Sequence, residues 1–107
     1  MTNLRSSERY AVQLEIEVTI AEQLHEAKTR DLSLGGVFIY SKARPAFNTR
    51  VHVRFTIPSQ KEPIEVGGVV RWGDPGRFGV QFDGLRARDV WVLARFIDQL
   101  YRSARPK

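Results

Sequence analysis

Two short constellations in this 107-residue chain are of the kind that can do chemistry: Arg5-Ser6-Ser7-Glu8-Arg9 and Asp31-Leu32-Ser33-Leu34-Gly35-Gly36. A guanidinium is a planar fork of donors that fits a phosphate or a guanine edge bidentately. Asp31 and Ser33 offer acceptors two residues apart, and in extended backbone such residues point the same way. Gly35 and Gly36 let another group approach the main chain closely. One reading of the second stretch is a turn in which short polar side chains bond neighbouring backbone groups. The other is a ligand seat. The arginine pair needs the same care. The chain has thirteen arginines, so roughly one or two pairs at this spacing are expected by chance. Arg50 and Arg54 form such a second pair inside an alternating stretch, where both read as solvated strand residues. Arg5 and Arg9 instead stand on a polar arm just ahead of the first strand, placed to fold over a ligand.

Other chemistry is thin. His25 and His52 fall within strand patterns without a carboxylate cluster at ligand spacing, and Ser33 has no histidine nearby in sequence. Neither a phosphate-cradling lysine loop nor a dinucleotide fingerprint occurs, and there is no cysteine for a thiolate metal site. The residues read as a binding module: no enzyme, no cofactor, no metal. The balance of 17 basic to 12 acidic residues gives a net charge of +5, which favours anionic partners. Thirteen of those basic residues are arginine and four are lysine. That bias leans toward a discrete phosphate-bearing ligand rather than diffuse attraction.

The elements that must position these residues are mostly strands. Val12, Leu14, Ile16, Val18 and Ile20 alternate with polar residues, predicting a half-buried strand. A turn near Glu22-Gln23 leads to a second strand from about Leu24 to Arg30, which delivers the chain to a turn at Asp31. Gly36 to Tyr40 makes a third. Val51, Val53, Phe55 and Ile57 mark a fourth, which stops at Pro58. Ile64 to Trp72 is the fifth, with a bulge expected at Gly67-Gly68. Arg77 to Phe82, after the turn Gly73-Asp74-Pro75-Gly76, is the sixth. In Arg86 to Arg102 the period becomes helical, with Val90, Leu93, Ile97 and Leu100 on one stripe and Arg88, Arg95, Gln99 and Arg102 opposite. The expected fold is mainly β: a six-stranded antiparallel β-barrel with a C-terminal α-helix. One domain spans 1–107, with a flexible arm over 1–9, the barrel over 10–84 and the helix over 86–102.

The order of arginine pair, alternating strand, second strand, Asp-x-Ser-x-x-Gly turn and strand resembles the PilZ domain family, bacterial receptors for cyclic di-GMP. Arg5-x-x-x-Arg9 matches the family's first motif and Asp31-x-Ser33-x-x-Gly36 its second. Gly68-Val69-Val70-Arg71-Trp72 and Phe78-Gly79-Val80-Gln81-Phe82 look like its closing strands. Asn48 departs from the pattern, in a loop where glycine is frequent, and Glu8 stands where basic neighbours are common. The resemblance implies a β-barrel receptor that binds cyclic di-GMP through Arg5, Arg9, Asp31, Ser33, Gly35 and Gly36. Leu4, Arg30, Arg71 and Trp72 are further candidate contacts, although Trp72 reads more readily as core. Leu4 lacks a donor where a third arginine could help hold a second ligand molecule, so one cyclic di-GMP per chain is expected. The signal would pass to a downstream protein through a change of arm and surface. The alternative is an adaptor of the same fold that binds proteins and no nucleotide. A barrel for single-stranded nucleic acid would need a platform of exposed aromatics, whereas Phe55, Phe78 and Phe82 fall at core-facing positions. Without a signal-like segment or an apolar span, the expected location is the cytoplasm, with no membrane insertion.

Overall fold

The computed structural model describes residues 9–104; Arg5 and Leu4 lie outside them. Seven strands are followed by one helix: β1 (Tyr10–Ala11), β2 (Glu15–Ile20), β3 (Gln23–Leu32), β4 (Gly36–Tyr40), β5 (Arg50–Phe55), β6 (Ile64–Asp74), β7 (Arg77–Phe82) and α1 (Ala87–Ala104). All pairings are antiparallel. Around the ring the order is β3-β2-β5-β6-β7-β4, and β4 pairs back onto β3, so six strands close a barrel. The short β1 adds to the outer edge of β3. Closure removes the unpaired edges that an open sheet would leave.

Period-two alternation sends Ile16 and Val18 of β2, Val51, Val53 and Phe55 of β5, and Ile64, Val66 and Val70 of β6 into one core. Val37, Ile39, Phe78, Val80 and Phe82 join them from β4 and β7. The helix contributes Val92, Leu93, Phe96 and Ile97 to the same cluster. Each buried side chain of that kind stabilises by about 1.5–3 kcal/mol. Four of them rival the whole net stability of a domain, about 5–15 kcal/mol. The helix is therefore part of the core and no appendage. No helix among the described residues is long and apolar enough to cross a membrane.

The strand expected from Val12 to Ile20 is broken. Val12, Gln13 and Leu14 leave the ladder, and the buried Thr29 hydroxyl fills the gap. It accepts from the Leu14 backbone N–H at 2.9 Å and donates to the Val12 carbonyl. The register slips by one residue across this break: Glu15 faces Lys28, but Ala11 faces Asp31. The turn between β2 and β3 sits at Ala21 and Glu22, with φ of 51° and 68°, as a two-residue hairpin requires.

Two further expectations are corrected. Gly67 and Gly68 pair regularly with His52 and Val51, and the bulge lies between Val70 and Trp72. Glycine is needed at 68 for closeness: a Cβ there would stand 2.5 Å from the Val80 side chain and 2.6 Å from the Gln81 carbonyl. On the helix, Val90 is 41% exposed. The inward stripe runs Asp89, Val92, Leu93, Phe96 and Ile97, because a carboxylate takes the position that the apolar pattern gave to Val90.

Candidate functional site

The outer face of the barrel carries one row of paired positions across five strands. Ala11 faces Asp31, Asp31 faces Phe38, Phe38 faces Gly79, and Gly79 faces Trp72. Two β-bulges frame this row. In β3 the register shifts between Thr29 and Asp31, so Arg30 is the inserted residue. In β6 it shifts between Val70 and Trp72, so Arg71 is the inserted one. A bulge places two successive side chains where a regular strand would show one. Each here sets an arginine beside a row residue: Arg30 with Asp31, and Arg71 with Trp72. Neither bulge has a glycine, and nothing in the local sequence announces it.

Phe38 lies at the middle of the row. Its ring covers Gly79, where a Cβ would stand 2.3 Å from the ring edge. Trp72 meets it edge-on, with ring centroids 5.4 Å apart. The guanidinium of Arg9 sits 3.8 Å from the centroid of Phe38 and that of Arg30 4.8 Å from it. Phe38 is thus only 9% exposed although it is on the outside of the barrel. Trp72, read from the sequence more readily as core, is 41% exposed; the shift at Arg71 turns it outward. Beside these residues is a cavity of 280 Å³ lined by Arg9, Ser33, Gly35, Phe38, Arg71 and Trp72, among others.

The turn after β3 bonds its own backbone, the first of the two readings its sequence allowed. Asp31 belongs to the strand and not to the turn. Ser33 Oγ accepts from the backbone N–H groups of Gly35 and Gly36, each at 3.1 Å, and the Ser33 N–H donates to the Gly36 carbonyl at 2.9 Å. The hydroxyl therefore shapes the loop. The two glycines separate in role. A Cβ on Gly36 would lie 2.2 Å from the Val80 carbonyl, so close strand packing requires glycine there; Gly35 faces open space, with only Ser33 Oγ within 4 Å.

Electrostatics distinguishes this face from the rest of the surface. Elsewhere Arg50 pairs with Asp83, Arg54 with Glu17 and Glu65, Arg77 with Asp74, and Arg102 with Asp98. At the row, among the described residues, Arg71 bonds only neutral groups, Gln81 Oε1 at 2.9 Å and Asn48 Oδ1 at 2.5 Å. Among the described residues Arg9 has no acidic partner either. Arg30 Nε donates to Asp31 Oδ2 at 2.8 Å. Of these three arginines only Arg30 is paired with a carboxylate among the described residues. Asp31 Oδ1 is buried and has no hydrogen-bond partner among the described residues. An unpaired buried acceptor of that kind is rare and costly.

The departure at Asn48 also has a physical reason. Its φ is 71°, a left-handed conformation that asparagine tolerates, and its amide oxygen holds Arg71. Among the described residues no group of three His, Asp or Glu side chains could hold a metal ion. Sequence reasoning missed Phe38 and Gly79 as parts of this face, since an unbroken apolar run such as Val37-Phe38-Ile39-Tyr40 gives no sign of which residue points outward.

Comparison with known proteins agrees with this geometry. The sequence pattern of the PilZ domain matches residues 3–99. Alginate biosynthesis protein Alg44 of Pseudomonas putida is 33% identical over 79 residues, covering 70% of this chain; the chain spans 20% of that relative's length. Among solved structures, the Bacillus subtilis inhibitor of motility MotI/DgrA superposes with a TM-score of 0.77 at 18% identity, over 92% of this chain and 51% of its own. The PilZ domain of CeSA from a cellulose-synthesizing bacterium gives 0.69 at 19%, over 89% of this chain and 99% of its own. The Borreliella burgdorferi PlzA protein in complex with c-di-GMP gives 0.66 at 17%, over 89% and 41%. With the barrel closed, the helix in the core and the pattern matched almost from end to end, the chain belongs to the PilZ domain family.

Proposed function

We propose that this domain is a receptor for cyclic di-GMP, which it binds on the outward row between the Arg30 and Arg71 bulges. One observation carries the reading: among the described residues a buried acceptor, Asp31 Oδ1, lacks a partner on the same face as Arg9 and Arg71, which have no carboxylate partner there. Guanine supplies two adjacent donors, N1–H and the exocyclic amine, that a carboxylate can accept. The phosphates supply the negative charge that Arg9 and Arg71 lack, with Arg5 as a further donor from the arm. Arginine also reads guanine O6 and N7 as a bidentate pair, worth about 1–3 kcal/mol. Trp72 offers an exposed ring for a purine, and Gly35 leaves the mouth of the cavity open. Ser33 acts through the loop that it holds.

The expected outcome of calorimetric titration is binding of one cyclic di-GMP per chain at micromolar affinity or better, about −8 kcal/mol. GTP and a short oligonucleotide serve as controls. Absence of heat up to high micromolar ligand would overturn the reading and favour a protein-binding adaptor. The signal leaves through the arm: Arg9 directly precedes β1, and Tyr10 of β1 meets Tyr101 of the helix edge-on at 6.1 Å. Ordering the arm on the ligand would alter the surface shown to a partner protein. Removing residues 1–9 should leave a folded barrel whose melting temperature no longer rises with cyclic di-GMP, because such stabilisation follows binding to the native state.

A further inference from the structure

We infer that Phe38 is a positioning residue of this site, a ring that holds the Arg9 guanidinium at the cavity, and Arg30 beside it, before any ligand arrives. The inference rests on the nucleotide-binding reading above, and deepens it by naming what organises the arginines. An arginine next to a chain terminus or arm is exposed and rotamer-rich, so fixing it on a ligand costs entropy that reduces affinity. Two cations close together also repel. The face of an aromatic ring answers both problems, since its quadrupole attracts guanidinium groups and its rigidity fixes where they stand. The distances, 3.8 Å for Arg9 and 4.8 Å for Arg30, are within the range for this attraction.

The surroundings fix the ring in turn. Phe38 would point to open solvent from the outer face of β4, but it lies down across Gly79, its cross-strand partner. Any side chain at 79 would displace it. Trp72 closes one edge. Phe38 has its ring face taken up by the guanidinium groups, so its role is exerted through Arg9 and Arg30. Leucine at 38 would keep the apolar cover of Gly79 and lose the quadrupole, whereas tyrosine would keep the ring.

The test uses the full chain and two readouts. In ligand-free protein, NMR resonances of the Arg9 side chain should show the upfield ring-current shift of a group above an aromatic face, absent in Phe38→Leu and kept in Phe38→Tyr. In titrations, Phe38→Leu should weaken cyclic di-GMP binding about tenfold and Phe38→Tyr less than about threefold. In an Arg9→Ala background, adding Phe38→Leu should cost less than it does alone, because the group it positions is gone. Gly79→Ala, which leaves the ring intact but pushes it aside, should reproduce the loss, with a thermal melt confirming that the barrel is folded. An equal loss from Phe38→Leu in both backgrounds, or an unshifted Arg9 in the wild type, would overturn the inference. Wild-type protein that binds no cyclic di-GMP while its Arg9 is still ring-shifted would overturn the nucleotide reading and leave the anchoring of Arg9 standing.

Discussion

Asp31, in β3, and Asp89, in α1, are both buried aspartates with arginines beside them. Asp89, in the first turn of α1, is fully buried, and both of its oxygens are bonded: Oδ2 by Arg86 Nε at 3.0 Å and Oδ1 by Arg88 Nη1 at 2.7 Å. Arg88 also donates to the carbonyls of Glu62 and Pro63, which ties the start of the helix to the connection between β5 and β6. Burial pushes the Asp89 carboxyl up, but the hydrogen bonds and charges of Arg86 and Arg88 outweigh this and hold it below the ordinary carboxylate range. Asp31 has one arginine, on one oxygen, and its other oxygen is buried without a partner among the described residues. A carboxylate that holds a fold has its acceptors filled from within the fold. One with an acceptor left open can take a donor from outside the fold, which is the role the receptor proposal gives Asp31. That difference distinguishes the two sites more sharply than burial or charge does.

The largest expected effect is at the filled site. Asp89→Ala should lower stability by about 2 kcal/mol through lost charge-assisted hydrogen bonds, a drop of roughly 10 °C in melting temperature for a chain of this size. Its affinity for cyclic di-GMP should be unchanged. A comparable loss of ligand affinity would mean that the two sites are coupled and break the comparison.

Acid removes part of the same interaction. Because the folded Asp89 titrates below its unfolded value, its contribution is present at pH above the unfolded carboxylate range, near 3.9, and is lost as pH falls through the lower folded value. Wild-type protein should therefore lose stability as pH falls below about 4 more steeply than Asp89→Asn, in denaturation followed at several pH values.

The open site should behave in the opposite way. Asp31→Ala removes one buried oxygen without a partner among the described residues and one that accepts from Arg30; these effects oppose each other, so its melting temperature should change little, while cyclic di-GMP affinity falls about tenfold or more, roughly 1.4 kcal/mol. Titration and melting of the same variant give both numbers. Loss of stability without loss of affinity would make Asp31 a second structural aspartate and erase the distinction.

The smallest effect is expected at the other arginine pair. Arg50→Ala breaks an exposed pair with Asp83, which is worth about 0.5 kcal/mol or less, and should leave ligand affinity within about twofold. If Arg50→Ala weakened binding as much as Arg9→Ala, diffuse charge attraction would replace a defined site.

Sequence periodicity was enough to place most of the barrel. Alternation from Ile16 to Ile20 and from Val51 to Phe55, and the change of period after Gly84, reflect local geometry that each segment imposes on itself. The Asp31-Ser33-Gly36 stretch was legible as a loop that Ser33 shapes, since those hydrogen bonds span only two or three residues. Three features were decided by tertiary structure alone. The bulges at Arg30 and Arg71 show only in the pairing of β3 with β4 and of β6 with β7, a relation that no single strand carries. The second turns Trp72 outward, and the regular pairing of β4 with β7 sets Phe38 over Gly79, so the row of the site belongs to five strands at once. The burial of Asp89 in place of Val90 depends on Arg86 and Arg88 filling its oxygens from the protein side. Local sequence specifies which residues alternate; only the closed ring specifies which of them end up facing one another.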